Sequence, residues 1–200
     1  MGDEQNPGLE SGAKTGADIP VRLVFWAGIL VLCIAAAFGG YRIALWQIPR
    51  IAMTRAEASV SHGAQGWNRM VHQALPTSDA RKIVRPSPDQ FYSACAYDLS
   101  RGPVLISGTM PGRTYWSMSF FDHDTNVFFV ENDRQRRTPA YRYLLLGPGM
   151  TAPAGVTADH VVRSPTRTGV VVQRVFVGSD ADRERLDSER RTGRCTVLPG

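Results

Sequence analysis

Residues 23–41 carry no charge: Leu, Val, Ile, Phe, Trp, Ala and Gly, with Cys33 and Tyr41, run between Arg22 and Arg42. A bilayer's hydrocarbon takes roughly 17–25 mostly apolar helical residues to cross. The run therefore predicts a transmembrane anchor over residues 22–46, with Trp26 and Trp46 suited to the two interfaces. A cleaved signal peptide is the competing reading. It calls for a basic leader, a shorter apolar core and a small-residue cleavage site. Here Lys14 is the one cation in residues 1–21, and Ala35-Ala36-Ala37 lies inside the run, so a retained anchor is expected. Ala35 and Ala36 with Gly39 and Gly40 form two small-xxx-small pairs, which let a partner helix approach closely; a plain anchor rich in small residues is the simpler account.

Beyond the span the period changes twice. Residues 51–75 are helix-capable, weakened by Gly63 and Gly66, and Trp67, Met70, Val71 and Leu75 recur at helical spacing, predicting a second short helix that Pro76 ends. Residues 47–89 thus read as a juxtamembrane helical segment and linker, with Pro86 and Pro88 keeping its end extended. From Phe91 the pattern is that of strands: residues 91–99, 104–109, 115–120, 127–130, 141–146 and 170–177, the last β-branched and expected to be central. Tyr115, Ser117 and Ser119 alternate with Trp116, Met118 and Phe120, predicting a half-buried strand in a hairpin with the run from Val127. Residues 180–191 read as a charged, solvated helix, weakly amphipathic through Leu186. Short strands separated by turns predict a mainly β fold, an antiparallel sandwich or jelly-roll-like domain over residues 90–200, with one N-terminal transmembrane helix and short peripheral helices.

Composition adds location rather than chemistry. Residues 1–21 have little apolar content beyond their last three positions and predict a disordered tail. The formal net charge is +5, and all cations but Lys14 and Lys82 are arginines. They are scattered, with no zinc-finger spacing and no RNP-like aromatic motif, so nucleic-acid binding is not expected. Arg42, Arg50 and Arg55 near the span suit anionic lipid head groups, and the bilayer is the expected partner. The same arginines, counted against Lys14 and Arg22, tilt the positive-inside rule towards a cytoplasmic large domain. The cysteines tilt the other way. Cys95 and Cys195, without CxxC or Cys-His ligand spacing, fit a structural disulfide in an oxidising compartment, against the plainer alternative of two unrelated buried thiols.

The densest polar cluster is Asp122, His123, Asp124, Thr125 and Asn126. Two carboxylates and an imidazole are the groups that ligate metals or move protons. They are also the residues a hairpin turn selects, because Asp and Asn bond their own backbone, and the spacing matches no calcium loop. The turn reading is preferred. Glu131, Asn132, Asp133 and Arg134 form a second polar group, either the lining of a cleft beside that turn or a strand end with a solvated Asp133–Arg134 face. Asp122, His123, Asp124, Asn126, Asn132, Asp133 and Arg134 are the candidate ligand-facing set. His62, His72 and His160 sit in no ligand motif and read as ordinary surface or capped histidines, and no nucleophile elbow, zinc-protease motif, P-loop or dinucleotide fingerprint is present. No catalytic residue, metal or cofactor is assigned, and the balance leans away from an enzyme.

One resemblance runs through these segments. Tyr97-Asp98-Leu99-Ser100-Arg101-Gly102-Pro103-Val104, Tyr115-Trp116-Ser117-Met118-Ser119, residues 122–126, Glu131-Asn132-Asp133-Arg134, Leu146-Gly147-Pro148-Gly149 and Ser164-Pro165-Thr166 occur in the order and spacing of the domain of unknown function 1254. The chain resembles that family over residues 90–177, and more narrowly its short, membrane-anchored bacterial form, in which cysteines at the positions of Cys95 and Cys195 recur. The resemblance implies a sandwich-like fold, an inner-membrane protein with a cytoplasmic N-terminus and a periplasmic domain, and a companion protein of the related domain of unknown function 1214. Longer relatives carry both domains in one chain. It implies no catalytic residue. A partner-binding or scaffolding protein of the cell envelope is the leading expectation. The alternatives are an envelope enzyme or small-ligand module using a 122–134 face, and an anchored domain facing the cytoplasm.

Overall fold

In the computed structural model, which describes residues 20–63, 65–77 and 86–199, the apolar run and the stretch after it form one helix, α1, Val21–Gly63. The tail up to residue 19, expected to be disordered, and residues 78–85 of the expected linker lie outside the described residues. The chain divides into two compact units, Met1–Ala44 and Leu45–Gly200. In the first, α1 is apolar enough over a sufficient length to cross a membrane, and none of that window is buried against protein. Cys33 is a free, exposed thiol.

The larger unit begins within α1. Met53, Glu57, Val60 and Ser61 are its buried residues, spaced by four, three and one, which is one face of a helix. Past Gly63 the chain turns: the Gly66 N–H donates to the Ser61 carbonyl at 2.8 Å, and Gly66 has a φ of +141°, a backbone state that a side chain disfavours.

Nine strands follow among the described residues: β1 Met70–His72, β2 Gln90–Asp98, β3 Val104–Thr109, β4 Trp116–Asp122, β5 Val127–Asn132, β6 Ala140–Leu146, β7 His160–Arg163, β8 Thr168–Phe176 and β9 Arg194–Val197. One helix, α2, Arg183–Arg190, lies between β8 and β9. The strands make two sheets. The first, β1-β2-β8-β4-β5, is antiparallel throughout, with β8 at its centre as its β-branched sequence predicts. The second, β7-β6-β3-β9, is antiparallel except for a parallel β6–β7 pair.

A single core takes residues from both sheets. Phe91, Cys95 and Tyr97 of β2, Trp116, Met118 and Phe120 of β4, and Val171 and Val175 of β8 come from the first. Ile106 of β3, Tyr141, Tyr143 and Leu145 of β6, and Cys195 of β9 come from the second. The Cys95–Cys195 disulfide joins β2 to β9, and so joins the sheets, with 6.5 Å between Cα atoms. Closing a loop of that sequence separation stabilises by about 4–5 kcal/mol in the chain-entropy model. The first sheet is covered on its second face too. Ala94 and Ala96 of β2 and Val170 of β8 pack against Met53 and Val60 of α1. At Gly169 a Cβ would fall 2.2 Å from the Phe121 carbonyl oxygen and 2.3 Å from the Tyr97 hydroxyl, so only glycine lets those groups meet.

Four expectations need correction. The helix expected around Trp67, Met70, Val71 and Leu75 is absent: residues 70–72 form β1, because the free edge of β2 offers Cys95, Ala94 and Ser93 as ladder partners. β4 is not half-buried, since Ser117 and Ser119 are as enclosed as Met118. α2 is not merely solvated. Arg190 is fully buried, donating to the Tyr92 and Gln73 carbonyls at 3.0 and 2.7 Å and to Ser93 Oγ at 3.0 Å. Its guanidinium also lies 4.3 Å from the centre of the Phe91 ring. His72 is not an ordinary surface histidine: burial first, then the charges of Arg190 and Arg191, push its pKa down to about 4.

Candidate functional site

The hairpin β4–β5 carries all seven candidate ligand-facing residues but does not gather them. Phe121 pairs with Val127 at one end and Ser117 with Asn132 at the other. Val127 and Asn132 are thus about 17 Å apart at the rise of a strand. Asp122, His123, Asp124 and Asn126 share the turn; Asn132, Asp133 and Arg134 share the far end.

At the turn, Asp122 is buried and its carboxylate is used by its own loop. Oδ1 accepts from the Asp124 and Asn126 backbone N–H groups at 2.9 and 2.8 Å, and Oδ2 accepts from Asn126 Nδ2 at 3.0 Å. The Asp122 N–H donates to the Asn126 carbonyl at 2.9 Å, and Thr125 takes a left-handed φ of +68°. This is the side-chain-to-backbone bonding for which turns select Asp and Asn. The two outward residues reach α1. Arg50 Nε donates to Asp124 Oδ1 at 2.5 Å, and this bond, more than burial, holds the Asp124 carboxyl below the usual carboxylate range. Arg50 in turn stacks 4.0 Å over Trp46. His123 Nδ1 lies 3.1 Å from Oε1 of the buried Glu57, and the His123 N–H donates to Thr166 Oγ1 at 3.0 Å. A buried carboxylate needs such a partner. The Asp122 carboxylate holds the turn itself, and Asp124 and His123 tie it to α1.

The far end differs. Asn132 Oδ1 accepts from the Arg134 N–H and Gln135 Oε1 from the Asn132 N–H, both at 3.0 Å, making a second polar turn. Glu131 is buried, with Arg136 Nε at 2.9 Å, His160 Nε2 at 3.4 Å and the Tyr143 hydroxyl donating to it. Arg136 also donates to Asp159 Oδ2 at 2.9 Å and to the Ala140 carbonyl at 2.7 Å. Burial opposes the Arg136 charge, but its bonds to Asp159 and Glu131 outweigh that and raise its pKa. The same pairing, with the Arg142 N–H, lowers Asp159 against its own burial. Burial, then the bond to Glu131, raises the Tyr143 phenol. Asp133 Oδ1 is sealed from solvent and has no hydrogen-bond partner, Arg134 included.

Sequence reasoning missed Glu57, Arg136, Tyr143, Asp159, His160 and Arg190. Each is placed by a partner far along the chain, and none stands in a local motif. Among the described residues, no three His, Cys, Asp or Glu side chains come together to hold a metal ion.

The larger unit is a two-sheet β-domain crosslinked between its sheets, with a polar hairpin turn bonded to α1. Residues 67–196 match the family described as "Protein of unknown function (DUF1254)", and the chain belongs to that family. The match starts after the apolar helix. No curated protein matches. The fold is similar to that of the VPA0106 protein from Vibrio parahaemolyticus, with a TM-score of 0.58 and 16% identity over 77% of this chain, which spans 37% of that protein's length. A putative uncharacterized protein from Burkholderia cenocepacia aligns with a TM-score of 0.45 and 15% identity, over 62% of this chain and 35% of that one.

Proposed function

We propose that this chain is a short, membrane-anchored member of its family: a single-span inner-membrane protein with a cytoplasmic N-terminus, whose sandwich-like periplasmic domain binds a companion β-domain protein of the cell envelope. The observation that carries the partner reading is an exposed apolar border. β5 and β7 are the outer strands of their sheets, and Val127 and Val130 of β5 and Val161 of β7 are exposed. The Phe129 and His160 rings, 5.6 Å apart, place the two edges side by side. Natural edge strands are usually blunted by charge, proline or a cover, and an open one is a template for another strand. The occupant we assign is a separate protein of the related domain of unknown function 1214. It supplies in trans what the longer relatives carry in one chain; VPA0106 itself extends well beyond the length this chain spans. In the anchor, Ala35, Ala36, Gly39 and Gly40 offer a second helix a close approach.

The enzyme reading loses the single 122–134 face on which it depended, because the two polar groups lie at opposite ends of β5. Two experiments test the proposal. Alkaline phosphatase fused after Gly200 is active if the domain is periplasmic; an inactive phosphatase with a fluorescent cytoplasmic reporter refutes the orientation. Co-expressed companion protein co-purifies with the detergent-solubilised full chain, and Val130→Lys abolishes this without changing the melting temperature. Undiminished recovery with Val130→Lys and Val161→Lys together refutes the docking edge.

A further inference from the structure

The β3–β4 connection and the β5–β6 connection line an open cleft of about 610 Å³ that the partner reading does not use. Met110, Pro111 and Pro139 give it apolar walls, with Trp116 at the start of β4. Its charged lining is Arg113, Asp133, Arg136 and Arg137. These four are not equivalent. Arg136 is committed to Glu131, Asp159 and the Ala140 carbonyl, so it is a fixed part of the wall. Arg113 and Arg137 are exposed and stand on opposite connections, and Arg113 is held at a left-handed φ of +61°. Non-glycine residues occupy that region uncommonly, and such positions concentrate where a backbone is constrained for binding. Asp133 is half-buried, anchored through its N–H to the Trp116 carbonyl at 3.2 Å, with Oδ1 sealed and unpartnered. A carboxylate oxygen buried without a donor is unfavourable, and native proteins rarely keep one. A donor entering the cleft relieves this by drawing the carboxylate towards it.

We propose that this cleft binds a small acidic sugar, with Arg113 and Arg137 meeting its carboxylate or phosphate and Asp133 accepting from one of its hydroxyls. Two arginines on facing loops suit a compact oxyanion, which guanidinium groups bind with paired N–H donors. The single carboxylate in the same lining, on the connection that carries Arg137, disfavours a plain dianion and favours a ligand carrying both an acid and a hydroxyl. Volume and lining fit a monosaccharide, since small-ligand clefts start at about 300 Å³.

Isothermal titration of the detergent-solubilised full chain tests this with glucuronate, glucose 6-phosphate, glucose, glutamate and inorganic phosphate as probes. Glucuronate and glucose 6-phosphate are expected to bind with a Kd of about 1 mM or tighter, and glucose and inorganic phosphate at least about tenfold more weakly. Arg137→Ala weakens both acidic sugars about tenfold. Asp133→Ala weakens them similarly while leaving the unliganded melting temperature equal or higher, because it removes the unpartnered oxygen. A purely structural Asp133 would lower that temperature instead, and that result overturns the assignment. So does equal binding of inorganic phosphate and glucose 6-phosphate, which is charge attraction alone, or preference for glutamate, or no saturable binding of either acidic sugar. Val130→Lys should leave these affinities unchanged, which separates the cleft from the docking edge.

Discussion

Both ends of the β4–β5 hairpin carry Asp and Asn side chains, and the two ends use them differently. At one end Asp122 spends both carboxylate oxygens on its own loop, while Asp124 and His123 bond to Arg50 and Glu57 of α1. At the other, Asp133 keeps a buried oxygen without a donor, beside a buried Glu131–Arg136 pair. An acidic cluster is therefore not a unit of function. What separates a structural turn from a candidate site is whether each polar atom already has a partner, and that depends on neighbours distant in sequence.

The comparison breaks most readily at Glu131. Glu131→Ala leaves Arg136 and the Tyr143 hydroxyl buried without it, and should destabilise by about 3–5 kcal/mol in a denaturant titration. A loss under 1 kcal/mol would mean that the far end is more open to water than its burial indicates. Cys195→Ser should cost about 2–5 kcal/mol by removing the bond between the sheets, without favouring either end of the hairpin. Asp122→Ala removes three hydrogen bonds from one buried carboxylate and should cost about 1–3 kcal/mol.

A pH profile adds a reference point outside the hairpin. The folded pKa of His72 is lowered to about 4 from 6.5, so the unfolded chain binds more protons between those values. Stability should therefore fall as pH drops from 6.5 towards 4, and His72→Gln should flatten that limb; an unchanged slope would contradict the burial of His72. The smallest effect belongs to Asp124. Its pair with Arg50 is more than a third exposed, so Asp124→Ala should cost only about 0.2–1 kcal/mol at neutral pH. A depressed carboxylate stabilises above its unfolded pKa and ceases to do so as pH falls through the folded one. The variant and the parent should accordingly converge as pH falls through the folded pKa of Asp124.

The strands that could be read from sequence are those of six residues or more, by alternation or by β-branched content. β2, β3, β6 and β8 lie within a residue or two of where their patterns put them, and the β4–β5 hairpin follows from apolar runs on either side of an Asp- and Asn-rich turn. β1, β7 and β9 span only three or four residues, too few to distinguish a period of 2 from one of 3.6. Trp67, Met70, Val71 and Leu75 therefore read as helix although residues 70–72 are drawn into the sheet by β2. The disulfide was legible because the large domain has just two cysteines. Arg190 was not: its sequence neighbours are charged, and the carbonyls that accept from it belong to Gln73 and Tyr92.

The Cys95–Cys195 bond also makes the domain a closed ring mechanically. The bridged residues are 100 apart in sequence, one in β2 and one in β9. Tension entering through α1 and leaving past β9 passes from Cys95 to Cys195 through a covalent bond. The strands β3 to β8 between them lie off the path of the force. A pull applied through α1 can peel away β1 and the start of β2, but with the bridge intact it cannot unravel what the ring encloses.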